Sequence, residues 1–247
     1  MKTLGVIIAR GGSRRIPKKN IHPVGGKPLL AWSVEAALTS GVCARVLVST
    51  DDPEMAEIAV AYGAEAPFLR DAANDDRATA SEAGLTALSQ AEAHWREPYD
   101  ALVLLMPSCP LRTGDLIRAQ FEAHQASQLP FLLSCADFGP TKPWWAFQMD
   151  DPHQPRYLHP EALKTRSQEL PKLYAPSGAT WIASVPALRA ARTFYGTGHR
   201  FFPISWIHAI DIDERSDIRL CDWLLRNNVQ GFLQAVGQGG EPTKTTG

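Results

Sequence analysis

Near its start, the chain places five cations around two adjacent glycines, with no acidic residue among them: Ala9-Arg10-Gly11-Gly12-Ser13-Arg14-Arg15-Ile16-Pro17-Lys18-Lys19-Asn20. Glycine opens backbone conformations closed to other residues, so successive N–H groups can converge on an anion. Arg and Lys add bidentate donors and point charges around it. Such a loop suits a polyphosphate. Its spacing is neither the Walker pattern nor the Gly-x-Gly-x-x-Gly fingerprint, and a solvated basic turn is the competing reading.

A second constellation lies about two hundred residues further on, at Asp211-Ile212-Asp213 with Glu214 beside it. In an extended segment the two aspartates share one face and Ile212 takes the other. Two carboxylates so close repel unless a cation sits between them, and Mg²⁺ takes one or two carboxylates with substrate phosphates and waters. A solvated acidic turn ahead of a helix is the alternative. Beside a polyphosphate loop, metal binding is the better reading. Lys164-Thr165-Arg166-Ser167-Gln168-Glu169-Leu170-Pro171 is a second basic patch, and a segment bearing Lys142, Arg156 and Arg166 suits an anionic sugar or phosphate, with a common basic surface loop as the alternative. The seven histidines show no metal-ligand spacing. Ser13, Ser108 and Ser177 lack a nucleophile elbow, so nothing suggests a covalent mechanism.

The elements that must position these residues read as alternating strands and helices. Residues 3–9 are a buried strand that runs into the basic loop. Leu30, Val34, Ala37 and Leu38 recur at helical spacing, with Pro28 in the first turn and Gly41 past the end. Residues 45–49 form a strand closing on Thr50-Asp51-Asp52; Met55, Ile58, Ala59 and Tyr62 mark a helix ended by Gly63, and residues 65–68 a short strand. Thr79-Ala80-Ser81-Glu82 has the form of a capping box. Residues 101–106 are an apolar strand, 115–126 a helix and 131–135 a strand. The pattern predicts an α/β fold, a three-layer, mostly parallel sheet with ligands at the carboxyl ends of its strands.

The rhythm breaks over residues 138–178, which hold seven of the nineteen prolines and an aromatic cluster at Trp144, Trp145 and Phe147. This reads as an extended arm with an interaction surface. Strands at 180–184 and 200–204 follow, then a last helix capped by Ser216 with Leu220, Trp223 and Leu224 facing inward. The expected organisation is one domain over 1–236 and a disordered tail over 237–247.

At 247 residues, with 45% hydrophobic and 21% charged residues, the composition is that of an ordinary globular protein. A net charge of -1 gives no global field for nucleic acid or a membrane surface, so the basic loop is local and suits a small anion. No apolar run approaches a membrane span, and the four scattered cysteines point to reduced thiols in a cytoplasmic protein.

Seven segments in order resemble the nonulosonic-acid cytidylyltransferases, the family of CMP-sialic acid synthetase. They are Ile8-Ala9-Arg10-Gly11-Gly12-Ser13-Arg14, Ile16-Pro17-Lys18-Lys19-Asn20, Val48-Ser49-Thr50-Asp51-Asp52, Phe68-Leu69-Arg70, Pro107-Ser108-Cys109-Pro110-Leu111-Arg112-Thr113, Arg166-Ser167-Gln168-Glu169-Leu170-Pro171 and Asp211-Ile212-Asp213. The resemblance covers residues 3–228. It implies a nucleotide-diphospho-sugar-transferase-like fold and a homodimer whose dimerisation arm crosses to the partner's site. It also implies Mg²⁺-dependent transfer of CMP from CTP to the anomeric hydroxyl of a nonulosonic sugar acid, releasing pyrophosphate.

Carried over by motif, Arg10, Gly11, Gly12, Ser13, Arg14 and Lys19 would grip the triphosphate, with Arg10, Lys19 and Asp211 in catalytic roles. Arg70, Asp76 and Thr79 would line the cytosine and ribose pocket, and Asp211 and Asp213 would hold Mg²⁺. Met106, Arg112, Lys142, Arg166, Gln168 and Ser177 would serve the sugar, the arm residues across the dimer. The general base is left open between metal-activated oxygen and Asp211.

Arg15 stands where the family usually has glycine, Met106 where sialic-acid enzymes carry glutamine, and Ser177 where asparagine is usual. Exchanging an amide for a thioether removes donor and acceptor together, so the choice among sialic, legionaminic and pseudaminic acids stays open. A nucleotidyltransferase for another acidic sugar such as 3-deoxy-manno-octulosonic acid, or a non-catalytic nucleotide-sugar-binding homologue, remains as an alternative.

Overall fold

A computed structural model describes residues 1–13, 15–70, 78–151, 153–228 and 231. Arg14, Asp76 and the tail over 237–247 lie outside the described residues. In chain order the strands and α-helices are β1 (Thr3–Ile8), β2 (Pro23–Val24), β3 (Lys27–Pro28), α1 (Leu29–Ser40), β4 (Arg45–Ser49), α2 (Pro53–Ala61), α3 (Ala80–Trp95) and β5 (Ala101–Leu105). They continue with α4 (Gly114–Ser127), β6 (Phe131–Asp137), β7 (Phe147–Gln148), β8 (Arg156–Tyr157), β9 (Tyr174–Ser184), α5 (Val185–Ala191), β10 (Arg200–Ile204) and α6 (Arg215–Arg226).

One six-stranded sheet runs β10-β6-β9-β5-β1-β4. The pairs β1–β4, β1–β5 and β10–β6 are parallel, as crossover helices require, whereas β9 runs antiparallel between β5 and β6. Strand β5 is apolar and wholly enclosed, and β1 is buried as far as Ile7, which reflects helices on both faces of the sheet. One apolar layer joins the sheet to α1, α2 and α4; the other joins it to α3 and α5. A third, smaller cluster gathers Ile16, Leu29, Leu111, Ile212, Cys221 and Leu224, so the basic loop and the acidic segment share one patch of core.

Local chemistry sets the ends of the helices. Thr79 and Glu82 form the expected capping box on α3, with Glu82 N–H donating to Thr79 Oγ1 at 3.2 Å and Thr79 N–H to Glu82 Oε2 at 2.7 Å. Asp52 caps α2 and Thr113 caps α4. Gly41 ends α1 at φ 69°, a conformation open to glycine.

Several sequence expectations are corrected. Residues 65–68 make only an isolated bridge, Leu47 to Glu65, and not a strand. Helix α6 is capped by Glu214 with Asp217, so Ser216 lies inside it. On that helix Cys221 and Leu224 are buried while Leu220 and Trp223 are exposed, because the helix meets the body along a narrower stripe than its apolar content suggests. The irregular arm also ends earlier than 178: Tyr174 already begins β9, whose proline and glycine had hidden a central strand.

Candidate active site

A cleft of about 760 Å³ opens at the carboxyl ends of β1 and β5. Arg10, Ser13, Arg15 and Lys19 from the basic loop line it together with Asp211 and Asp213. Arg70, Thr79, Ala80 and Ala83 form the wall at the start of α3. Met106, Pro107, Ser108, Gly178 and Trp181 line it as well, with Ile8, Asn20 and Ala78.

The basic loop is tied down on its outer side. Gly11 N–H donates to Asp51 Oδ1 at 2.8 Å, and buried Asn20 donates from Nδ2 to the Arg10 carbonyl at 3.0 Å. Lys18 holds Glu54 at 2.5 Å from outside the cleft, while Lys19 turns inward. The left-handed backbone of Lys18, φ 53°, separates the two neighbouring lysines in this way. Gly11 corrects the sequence reading: its φ is not positive and its N–H is engaged by Asp51, so glycine serves close approach instead. A Cβ there would stand 3.2 Å from Asp52 Oδ2. Neither Gly11 nor Gly12 lines the cleft.

The acidic segment belongs to no strand or helix. Ile212 is fully buried and anchors it, and its N–H donates to the Ser108 carbonyl at 2.9 Å. Lys19 Nζ donates to the Ile212 carbonyl at 2.6 Å and lies 3.7 Å from Asp213 Oδ1; Arg15 Nη1 lies 3.4 Å from Asp213 Oδ2. Asp211 opens on the cleft, yet loss of surrounding water raises its carboxyl pKa, against the opposing Ser108 hydrogen bond and the Lys19 charge. Among the described residues no three His, Cys, Asp or Glu side chains gather as a metal site. Two carboxylates at the mouth of a cationic loop fit an ion that completes its shell with phosphate oxygens and water.

Other predicted residues lie elsewhere. Arg112 is buried beneath the cleft and does not line it: its guanidinium donates to the Ala179 and Met106 carbonyls and to Ser33 Oγ. Burial without a carboxylate lowers its pKa to about 10. Ser177 is also off the cleft, with Oγ accepting from Ala179 N–H at 3.1 Å. Lys142 lines a separate cavity of about 220 Å³ at the base of the arm, and Arg166 and Gln168 are exposed. None of the three lines the main cleft of its own chain. Trp181 was missed by sequence reasoning, for a lone tryptophan inside an apolar strand carries no signal of which surface it meets. Asn20 and Ser108 stood in quoted motifs without a role.

The cytidylyltransferase family model matches residues 4–137. The chain is 33% identical over 230 residues to the pseudaminic acid cytidylyltransferase of Campylobacter jejuni, covering 92% of this chain and 98% of that one. The chain belongs to the cytidylyltransferase family. A second relative is the CMP-N,N'-diacetyllegionaminic acid synthase of Legionella pneumophila, 31% identical over 242 residues, 94% of this chain and 100% of that one. Among solved structures, CMP:2-keto-3-deoxy-manno-octonic acid synthetase complexed with CTP superposes with TM-score 0.67 at 18% identity, covering 92% of this chain and 99% of that chain. That likeness supports the α/β fold of this cytidylyltransferase. Among the described residues no helix is long and apolar enough to cross a membrane.

Proposed function

We propose that this cytidylyltransferase transfers CMP from CTP to the anomeric hydroxyl of a nonulosonic sugar acid of the pseudaminic or legionaminic kind, releasing pyrophosphate. The observation that carries the reading is Lys19, bonded to the Ile212 carbonyl between two aspartates while its own loop lines the cleft with Arg10, Ser13 and Arg15. The relatives named for pseudaminic and legionaminic acids support the sugar class over nearly the whole chain.

Transfer at the α-phosphate needs in-line positioning and neutralisation of charge moving toward the leaving pyrophosphate. Arg10, Arg15 and Lys19 supply fixed positive charge there, and Ser13 a hydroxyl donor. Arg70 and Thr79 face the space left for the nucleoside. Asp211 and Asp213 would hold Mg²⁺, which when bound neutralises phosphate oxygens and orients them. Asp211 or a metal-activated oxygen would accept the proton of the sugar hydroxyl. Met106, Gly178 and Trp181 form the floor offered to the sugar acid. Lys142, Arg166 and Gln168 would reach a cleft only across a homodimer, which we include in the proposal.

Pyrophosphate release assayed with each of the four common nucleoside triphosphates and a mixture of nonulosonic acids tests the reading. Release with CTP is expected; release with GTP or UTP but not CTP contradicts it.

A further inference from the structure

The floor of the cleft rests on an irregularity in β9. Leu133 of β6 faces Trp181, but Cys135 faces Pro176, so two steps along β6 are matched by five along β9. Residues 177–180 stand opposite Ser134 alone, so this stretch bulges out of the ladder and loses its regular hydrogen bonds. Ser177, Ala179 and Thr180 are buried, so their backbone groups must be paired some other way.

Three buried side chains from other elements do this. Ser134 Oγ donates to the Ser177 carbonyl at 2.9 Å and accepts from Thr180 N–H at 3.0 Å. Gln120 of α4 donates from Nε2 to the Thr180 carbonyl at 3.0 Å and to the Leu132 carbonyl at 2.9 Å. Arg112 donates to the Ala179 carbonyl. Arg112, Gln120 and Ser134 are all at most 2% exposed, and none of them lines the cleft. A buried guanidinium with no acidic partner among the described residues and a buried amide are costly where an ordinary strand pair would need neither.

What the bulge presents to the cleft is Gly178 and, just after it, Trp181. Gly178 accepts from Met106 N–H at 3.2 Å, and a Cβ on it would come within 2.7 Å of Met106 Cγ. The positions of Met106, Gly178 and Trp181 therefore depend on the brace behind them. We propose that Arg112, Gln120 and Ser134 are positioning residues for the sugar acid, acting through the β9 bulge. This rests on the reading that the sugar acid occupies the floor of the cleft.

The test is steady-state kinetics of Gln120→Met and Ser134→Ala, varying CTP and sugar acid separately, with thermal melts alongside. Leaving buried carbonyls unpaired should raise the sugar-acid KM about tenfold while the CTP KM stays within about twofold. A purely structural role would lower the melting temperature and leave both constants unchanged, overturning the inference; an equal rise in both constants also overturns it. If Gln120→Met does not fold, the smaller change Ser134→Ala decides. A wild type that turns over no nonulosonic acid overturns the functional reading and this inference with it, an outcome distinct from unaltered kinetics in the variants.

Discussion

Lys19 Nζ and the Ile212 carbonyl meet at 2.6 Å across 193 residues of sequence. The contact joins the loop that ends β1 to the segment ahead of α6. It places one ammonium group beside both aspartates and at the edge of the cleft. The clamp is therefore a single unit, with cations and carboxylates holding each other before any phosphate arrives.

Lys19→Met tests that unit. It removes a phosphate-facing charge and the tether of the Ile212 carbonyl together. The expected loss in kcat/KM for CTP is about 10²-fold or more, the scale of removing one donor aimed at developing charge. Rates near wild type would show that Lys19 only braces the structure.

Asp51 reaches the same loop from outside, through Gly11 N–H. Asp51→Ala should raise the CTP KM several-fold, whereas Asp51→Asn, which keeps an acceptor, should do so less. Equal effects of the two, measured by the same assay, would locate the role in charge and not in the hydrogen bond.

Gly178 leaves no room for a side chain beside Met106. Gly178→Ala should displace the Met106 side chain into the cleft at a cost of about 1–3 kcal/mol in stability and raise the sugar-acid KM. Shortening the neighbour in Met106→Ala/Gly178→Ala should restore part of the loss. No recovery in the double variant would mean that the clash lies elsewhere.

Acid stability should depend on Glu97, far from the cleft. Hydrogen bonds from Lys2, Arg45 and Tyr99 lower its pKa to about 2. The folded value lies below the unfolded one, so its contribution is complete above about pH 4.5 and is lost as pH falls toward about 2. Melting curves of wild type and Glu97→Gln should differ at neutral pH and converge in acid. A constant gap down to about pH 2 would contradict the assignment.

Much of the fold was legible because strong local signals agreed with the tertiary outcome. The apolar runs of β1 and β5, the Thr79 capping box and the terminal Gly41 each specify an element alone. Strand β9 was legible only in its second half. Its first half carries Pro176 and Gly178, and its bulge is stabilised by side chains from α4 and β6 that no local pattern reveals. In the site, charge made Arg10, Lys19 and the two aspartates visible. Arg112 misled for the same reason: a charged residue in a motif suggests a ligand, whereas its partners here are backbone carbonyls and the Ser33 hydroxyl. Trp181 was invisible because its role comes from the sheet's geometry.

The central claim is that this cleft makes a CMP-sugar with Asp211 at its centre. The most direct measurement is the mass of the product formed from CTP, Mg²⁺ and a panel of nonulosonic acids by wild type and by Asp211→Asn, with CTP affinity measured in parallel. The account predicts a CMP-nonulosonic acid from wild type, and from Asp211→Asn turnover lower by about 10²-fold or more with nearly unchanged CTP binding. No CMP-sugar from wild type, or full turnover in the variant, would contradict it.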